Sequence, residues 1–296
     1  MEQWRIEHPQ TLDVPGVRRL NVRIVAGNVD VVGRPERTKA PEAENGAKAP
    51  SPEPSQAQEP NEDSNAHLEV TDVEGTLIVT LDGGTLTVAH ERLTWGGLFD
   101  WVTNRRTSAV ISVSVPATCP VELGVVSAEA VVSGTTARTT VRSVSGGVTL
   151  DGVRSDITAQ TVSGDLEARG LVGGLNFTTV SGDLTVVDGT SARVRAETVS
   201  GQVTLDLDTP EHSSIEMSSV SGDLTVRLPD DAALNITVRT MSGGLDTAFD
   251  GFVTERRPGR SSMQGHVGGG TGRLDAKTVS GDVTILRREA HAPASA

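Results

Sequence analysis

The sequence predicts an all-β fold, a parallel β-solenoid whose coils of about 18–21 residues each contain two strands. Three observations support this prediction. A Thr-Val-Ser-Gly-Asp motif recurs at nearly constant spacing, and a fixed period of this length is typical of solenoids. Apolar and polar residues alternate on both sides of the motif, as they do in strands. The apolar residues are mainly aliphatic, because aromatic residues make up only 2% of the chain.

The motif is interpreted as the corner between the two strands of a coil. It is complete at residues 161–165, 179–183 and 278–282, and close copies stand at 143–147, 198–202, 219–223 and 240–244. The predicted structural corner consists of Ser145, Gly146, Ser163, Gly164, Asp165, Ser181, Gly182, Asp183, Ser200, Gly201, Ser221, Gly222, Asp223, Ser242, Gly243, Ser280, Gly281 and Asp282.

Side-chain parity predicts a bend in this motif. Positions are counted from the motif serine, which is position 0. The valine at −1 and the apolar residues at +3 and +5 are all at odd positions, as in Val279, Val283 and Ile285, so they would share one face of a straight strand. The apolar residues at −4 and −6, such as Ala276 and Leu274, have the opposite parity. Because side chains alternate strictly along a strand, we expect the chain to bend between −2 and −1, with the valine on the inward face. The glycine at +1 leaves room for the bend, and serine and aspartate can bond unpaired backbone groups.

The strand-like pattern begins near residue 10, so we expect one solenoid domain over residues 10–288. Residues 34–66 are rich in proline and polar residues and should form a disordered insertion, with a linker between two domains as the alternative. Asp82-Gly83-Gly84 predicts a hairpin turn, because glycine readily adopts positive φ. Residues 249–272 are predicted to be a Gly-rich loop that replaces one coil.

We expect the less regular N-terminal strands to cap one end of the stack. At the other end, the charged residues that follow Leu286 are predicted to protect the last strand from pairing with another molecule. Residues 289–296 are predicted to be a disordered tail.

The segment 91–107 contains Trp95, Phe99 and Trp101, three of the seven aromatic residues of the chain. One interpretation is an exposed loop that contacts a partner protein or makes peripheral contact with a membrane. The other is a long connection whose aromatic side chains fold back onto the core. The sequence leaves both interpretations open.

Composition and motifs argue against several function classes. The net charge of −13 argues against nucleic-acid binding, which needs clustered Lys and Arg. A single cysteine, Cys119, excludes an intramolecular disulfide and a cysteine-based zinc site. The stacked motif aspartates are interpreted as turn residues rather than a calcium site, because Gly147, Gln202 and Gly244 interrupt the column. We therefore predict no catalytic residues, no metal and no cofactor.

The N-terminus has no apolar run typical of a signal peptide, and no stretch approaches the roughly 18 apolar residues of a spanning helix. These features predict a cytoplasmic protein, with peripheral attachment at the inner membrane as the alternative.

Three features together resemble one known family. They are the repeated Thr-Val-Ser-Gly-Asp motif, an N-terminal Trp followed by the strand-like Val-Ala-Gly-Asn-Val-Asp-Val, and the closing Gly-Arg-Leu-Asp-Ala-Lys-Thr-Val-Ser-Gly-Asp-Val. The chain resembles the adhesin-like toast-rack β-strand-repeat family (domain of unknown function 4097) over residues 18–286, apart from the insertion. The resemblance implies a bacterial β-solenoid without known catalytic residues. Some relatives are linked to adhesion or to envelope-stress systems.

Two functions follow as expectations. The first is a non-enzymatic structural or interaction solenoid, adhesin-like and linked to the bacterial cell envelope or its stress response, with an unidentified protein partner. The second is a polysaccharide-binding or polysaccharide-cleaving β-helix. A cleft lined by carboxylates from three adjacent coils would favour the second, because acid–base cleavage of a glycosidic bond needs paired carboxylates.

Overall fold

The computed structural model of the chain describes residues 1–35, 65–91 and 107–288. Apart from their flanking residues, the predicted disordered insertion at 34–66, the aromatic loop at 91–107 and the tail at 289–296 lie outside the described residues. Among the residues that are described, no helix is long and apolar enough to cross a membrane.

The N-terminal part contains eight strands, and their side chains alternate between buried and exposed as the sequence predicts. These strands are β1 (Glu2–Ile6), β2 (Gln10–Val14), β3 (Arg19–Ile24), β4 (Gly27–Arg34), β5 (Ala66–Glu74), β6 (Leu77–Asp82), β7 (Thr85–His90) and β8 (Ser108–Pro116).

The central part contains twelve strands in regular succession, two for each coil. They are β9 (Val121–Val125), β10 (Glu129–Ser133), β11 (Thr139–Ser143), β12 (Val148–Asp151), β13 (Ile157–Thr161), β14 (Leu166–Arg169), β15 (Leu175–Thr178), β16 (Leu184–Thr190), β17 (Arg193–Glu197), β18 (Val203–Asp208), β19 (Ser214–Ser218) and β20 (Leu224–Pro229).

The C-terminal part contains six further strands. They are β21 (Leu234–Thr240), β22 (Leu245–Thr247), β23 (Val253–Arg257), β24 (Arg260–Val267), β25 (Gly272–Lys277) and β26 (Val283–Arg288).

These strands form two facing sheets. The 14-stranded sheet has the order β1-β6-β7-β3-β9-β11-β13-β15-β17-β19-β25-β21-β24-β23, and the 12-stranded sheet has the order β2-β5-β8-β4-β10-β12-β14-β16-β18-β20-β26-β22. In the repeat region each strand pairs in parallel with the equivalent strand of the next coil, so that Leu184 lies beside Val203 and Val203 beside Leu224. The predicted parallel β-solenoid with two strands in each coil is confirmed.

The core lies between the sheets and consists of stacked aliphatic side chains. Leu184, Val186, Val203 and Leu205 are at most 1% exposed, and Phe177 is a fully buried aromatic residue. Burying one such side chain stabilises a fold by about 1.5–3 kcal/mol, so the stacking of equivalent residues gives each coil its stability through its neighbours.

The N-terminal end of the stack is antiparallel. β1 pairs with β6, and β6 pairs with β7 through a two-residue turn at Gly83 and Gly84, which both have positive φ. In the other sheet β2 pairs with β5, and β5 with β8. The predicted domain start at residue 10 is therefore too late, because β1 already belongs to the sheet.

The C-terminal end differs from the prediction in two ways. Residues 249–272 contain the β23–β24 hairpin rather than only a loop, with the turn at Pro258 and Gly259. β24 pairs with the outer edge of β21, and β25 pairs with its inner edge. The last coil in sequence, β25–β26, is therefore not the end of the rod, because it lies between the coil of β19–β20 and the coil of β21–β22.

The charged residues after Leu286 consequently do not form the end of the stack. Arg288 instead forms ion pairs with Asp206 at 3.2 Å and with Asp208 at 2.7 Å, and Arg287 pairs with Asp230 at 3.1 Å. These ion pairs connect β26 to neighbouring coils.

Candidate functional site

The motif forms the corner where the chain passes from the 14-stranded sheet to the 12-stranded sheet. In the third copy Thr179 is 4% exposed and Val180 is 50% exposed, and Ser181 is exposed as well. The next residue, Gly182, is buried. The predicted inward position of the valine is therefore wrong. Valine and serine both point outward at the bend, and the parity of the inward face changes between threonine and glycine.

The buried threonine stabilises the bend. The backbone N–H of Gly182 donates to Oγ1 of Thr179 at 2.9 Å, and Gly201 donates in the same way to Thr198 at 2.8 Å. The same contact occurs at Gly243 with Thr240 and at Gly281 with Thr278, and Gly222 donates to the hydroxyl of Ser219 in the equivalent position. It satisfies a buried hydroxyl and a corner N–H together, and either group would be costly to bury alone.

The motif glycines face the backbone of the preceding coil. A Cβ atom on Gly201 would lie 1.9 Å from the carbonyl oxygen of Gly182, and one on Gly222 would lie 1.8 Å from that of Gly201. Real carbon–oxygen contacts are never this short, so the close stacking of coils at this corner requires glycine.

The motif serines join consecutive coils. The backbone N–H and the Oγ of Ser181 both donate to the carbonyl oxygen of Val162, at 2.9 and 3.3 Å. The pattern recurs from Ser127, which donates twice to the oxygen of Val25, to Ser242, which donates twice to that of Val279.

The motif aspartates also join coils. Oδ1 of Asp165 accepts the N–H of Asp183 at 2.9 Å, and Oδ1 of Asp183 accepts the N–H of Gln202 at 2.7 Å. Asp223 and Asp282 do the same for the coils that follow them. Each carboxylate therefore supplies an acceptor for a backbone donor in the next coil.

The valine is the motif residue whose side chain remains on the surface without such a role. Six of these valines are 42–50% exposed, and Met241, which takes the position in the coil of β21, is 57% exposed. We call the complete row the valine edge, in which Val25 and Val126 are half-buried: Val25, Val126, Val144, Val162, Val180, Val199, Val220, Val279 and Met241. With coils about 4.8 Å apart, its nine members span about 38 Å. Sequence reasoning missed this surface, because an apolar residue at a parity switch was assigned to the core.

Charge differs on the two sides of the valine edge. One side carries an acidic row, which we call the acidic bank: Glu129, Asp165, Asp183, Asp223 and Asp282. The other side is mainly basic, with Arg23, Arg142, Arg239 and Lys277 among neutral residues and Glu197. The edge therefore combines a continuous apolar row with a negative flank.

A shallow notch of about 320 Å³ interrupts the acidic bank where Gly147 has no side chain. Glu129 lines it on one side, and Asp165 and Glu167 line it on the other. Its carboxylates come from two coils and not from the three adjacent coils that the polysaccharide alternative requires. No group of three or more His, Cys, Asp or Glu side chains in the described part of the chain could hold a metal ion.

The candidate contact residues Trp95, Phe99 and Trp101 lie outside the described residues. The described residues nearest to them are Glu91, which follows β7, and Thr107, which precedes β8. Since β7 pairs with β3 and β8 with β4, these two residues mark the corner next to the one that contains Val25, at the N-terminal end of the valine edge.

Two buried titratable groups lie in the N-terminal half. His90 is 2% exposed, and its Nδ1 accepts the N–H of Val25 at 3.1 Å. Burial lowers the pKa of His90 to about 4, because desolvation disfavours the charged imidazolium. Cys119 is also 2% exposed, and burial raises the pKa of its thiol to about 11. Both groups are therefore uncharged in the folded protein near neutral pH.

Three solved structures are similar to the chain at low identity. A putative adhesin from Bacteroides fragilis NCTC 9343 is 12% identical, with 95% of this chain and 98% of that chain covered and a TM-score of 0.46. A putative lipid binding protein from Parabacteroides distasonis ATCC 8503 is 10% identical, with 96% of this chain and 98% of that chain covered and a TM-score of 0.42. A putative cell adhesion protein from Clostridium sporogenes ATCC 15579 is 11% identical, with 95% of this chain and 100% of that chain covered and a TM-score of 0.31. Similarity of this strength carries no inference about what this chain binds.

No curated protein matches the sequence. The family model described as Toastrack DUF4097 matches residues 57–286, which is more than half of the chain. The matched region contains the repeated motif corners and most of both sheets. The chain therefore belongs to the Toastrack DUF4097 family.

Proposed function

We propose that the chain is a non-enzymatic interaction module whose solenoid presents the valine edge to a protein partner. One observation carries the proposal. Threonine, serine, glycine and aspartate of the motif each serve the coil through a specific contact, as at Thr179, Ser181, Gly182 and Asp183, whereas Val180 is half exposed. Continuous exposed apolar surface on a protein commonly marks an interaction site.

The proposal includes a role at the bacterial cell envelope, in adhesion or in the envelope-stress response, and is supported by the family to which the chain belongs. Trp95, Phe99 and Trp101 are proposed to extend the contact, because the residues that flank their segment adjoin the N-terminal end of the valine edge.

Affinity capture from the native host tests the proposal with matched variants. The edge variant carries Val162→Thr, Val180→Thr and Val199→Thr, which keep the β-branched shape but remove apolar surface. The control variant carries Val32→Thr, Val131→Thr and Val172→Thr, at valines that are 38–39% exposed away from the motif corner.

We expect a host protein that is retained by the wild-type chain and by the control variant but is lost from the edge variant. A partner that all three chains retain equally would contradict a role for the valine edge. Capture of no specific protein by the wild-type chain would contradict the interaction function itself.

Membrane attachment is tested separately by co-sedimentation with anionic vesicles. Binding that is lost on changing Trp95 and Trp101 to Ala together would place the chain peripherally on the membrane through that segment. Unchanged binding, or none, would rule out this contact and restrict the proposal to a protein partner.

A further inference from the structure

We propose that the occupant of the valine edge is a basic amphipathic helix of the partner protein. The helix lies along the edge with its apolar row on the valines and its Lys or Arg residues over the acidic bank. This inference rests on the proposed function and specifies the chemistry of the partner.

The spacing of the valine edge favours a helix over an extended strand. Successive valines are one coil apart, about 4.8 Å, whereas successive turns of a helix are about 5.4 Å apart and same-face residues of a strand about 6.7 Å apart. After four coils the helix is out of step with the edge by about 2 Å and the strand by about 8 Å. A helix therefore places one apolar side chain near each valine over several coils, and a strand does not.

The shape of the edge also suits a helix. The exposed valines Val144, Val162, Val180, Val199 and Val220 form a single row on a convex corner. Such a row can pack as a ridge between two rows of side chains on a helix, as ridges fill grooves in helix packing. Helices that present apolar residues at i, i+3, i+4 and i+7 are a common form of peptide recognition.

The negative charge of the acidic bank determines which charge the partner helix must carry. The acidic bank lies three residues after the valine in each coil that carries it, as Asp165 follows Ser163 and Gly164 after Val162. Since Oδ1 of Asp165 and Asp183 already accepts a backbone N–H, the charge that remains is directed at solvent or at a partner. A helix with Lys or Arg on the flank that faces the acidic bank complements this surface, and a helix with Asp or Glu on that flank is repelled.

A second copy of the chain in antiparallel orientation fits the edge less well. Two copies that dock edge to edge in antiparallel orientation place both acidic banks on the same side of the contact, so that like charges face each other. Like charges placed opposite one another disfavour association.

Fluorescence anisotropy with three labelled 18-residue peptides tests the inference on the full chain. The first peptide alternates leucine and lysine at helical spacing and is about 27 Å long as a helix. The second has the same pattern with glutamate in place of lysine. The third has the composition of the first with leucine at every second position, which favours a strand.

We expect the chain to bind the helical leucine–lysine peptide and to bind the other two at least about tenfold more weakly. The edge variant, with Val162, Val180 and Val199 changed to Thr, should lose at least about tenfold in affinity, because three methyl groups no longer contribute to the contact. The control variant with Val32, Val131 and Val172 changed to Thr should bind like the wild-type chain.

A charge variant completes the test. Asp165→Asn, Asp183→Asn and Asp223→Asn keep the Oδ1 acceptor and remove the charge, so they should weaken binding and reduce its dependence on salt. Equal binding of the leucine–glutamate peptide, or an affinity that the edge variant leaves unchanged, would overturn the inference.

Sedimentation distinguishes self-association from this inference. A wild-type dimer that becomes monomeric in the edge variant and does not bind the peptide would show that the occupant is a second copy. If the host partner is captured through the edge but the leucine–lysine peptide does not bind, the proposed function stands and the basic helix is wrong.

Discussion

The backbone N–H of Gln202 donates to Oδ1 of Asp183 in the preceding coil, at 2.7 Å. The pair shows why aspartate recurs at the motif corner without a metal, since its carboxylate accepts a donor that the bend would leave unpaired.

Changing Asp183 to Ala should reduce the free energy of unfolding by about 1 kcal/mol, because Gln202 loses this acceptor at an exposed position. Asp183→Asn keeps a carbonyl acceptor and should cost less than half as much. Urea unfolding of both variants measures the difference. Equal losses in the two variants would show that the negative charge, and not the acceptor, is what the site requires.

Changing Gly201 to Ala should destabilise the protein by more than about 3 kcal/mol or prevent folding, because the added Cβ would lie 1.9 Å from the carbonyl oxygen of Gly182. Gly124→Ala is the matched control, since its Cβ would meet Arg23 and Val22 only at 3.8 Å. It should change the unfolding free energy by less than about 1 kcal/mol. Similar stability of the two variants would contradict the tight stacking at the corner.

His90 should make the protein less stable as the pH falls from 6.5 towards 4. The folded state holds the pKa of His90 at about 4, whereas the unfolded chain is protonated below the ordinary value of 6.5. The unfolded state therefore binds the extra proton in this window, which removes roughly 3 kcal/mol of stability by its lower end.

The pH dependence is measured by urea unfolding of the wild-type chain and of His90→Asn. The variant cannot be protonated at this position, so the difference between the two unfolding free energies should shrink or reverse as the pH falls. A difference that is constant between pH 7 and pH 4 would contradict a buried neutral histidine.

Cys119 should resist thiol reagents in the folded protein, because it is 2% exposed and its pKa is raised to about 11. One thiol should react at pH 8 after denaturation. Val180→Cys in a Cys119→Ala background provides an exposed control that should react rapidly while folded. Rapid labelling of Cys119 in the native protein would show that the first coils open readily.

The coil architecture could be predicted because the motif period and the alternation of residues such as Leu184 and Val186 reflect local geometry that repeats. The outward position of Val180 could not be predicted from the same pattern. A bend at which valine and serine both point outward changes the alternation of inward residues in the same way as a bend at which the valine points inward. The burial of Thr179 could not be predicted either, because its hydroxyl is paired with a backbone group, the N–H of Gly182, rather than with another side chain.

The order of the last coils also depends on contacts that sequence patterns do not contain. Pro258 and Gly259 form the turn of the β23–β24 hairpin, within the segment that the sequence analysis assigned to a loop. Which edge of β21 that hairpin would occupy depends on long-range pairing, and it determines that β25 enters the stack beside β19.

Valine-methyl NMR of the chain, titrated with the helical leucine–lysine peptide, tests the docking role of the valine edge most directly. We expect shifts confined to edge residues such as Val144, Val162, Val180 and Val199, with the control residues Val32 and Val172 unmoved. Shifts centred on the control valines, or none at saturating peptide, would contradict it.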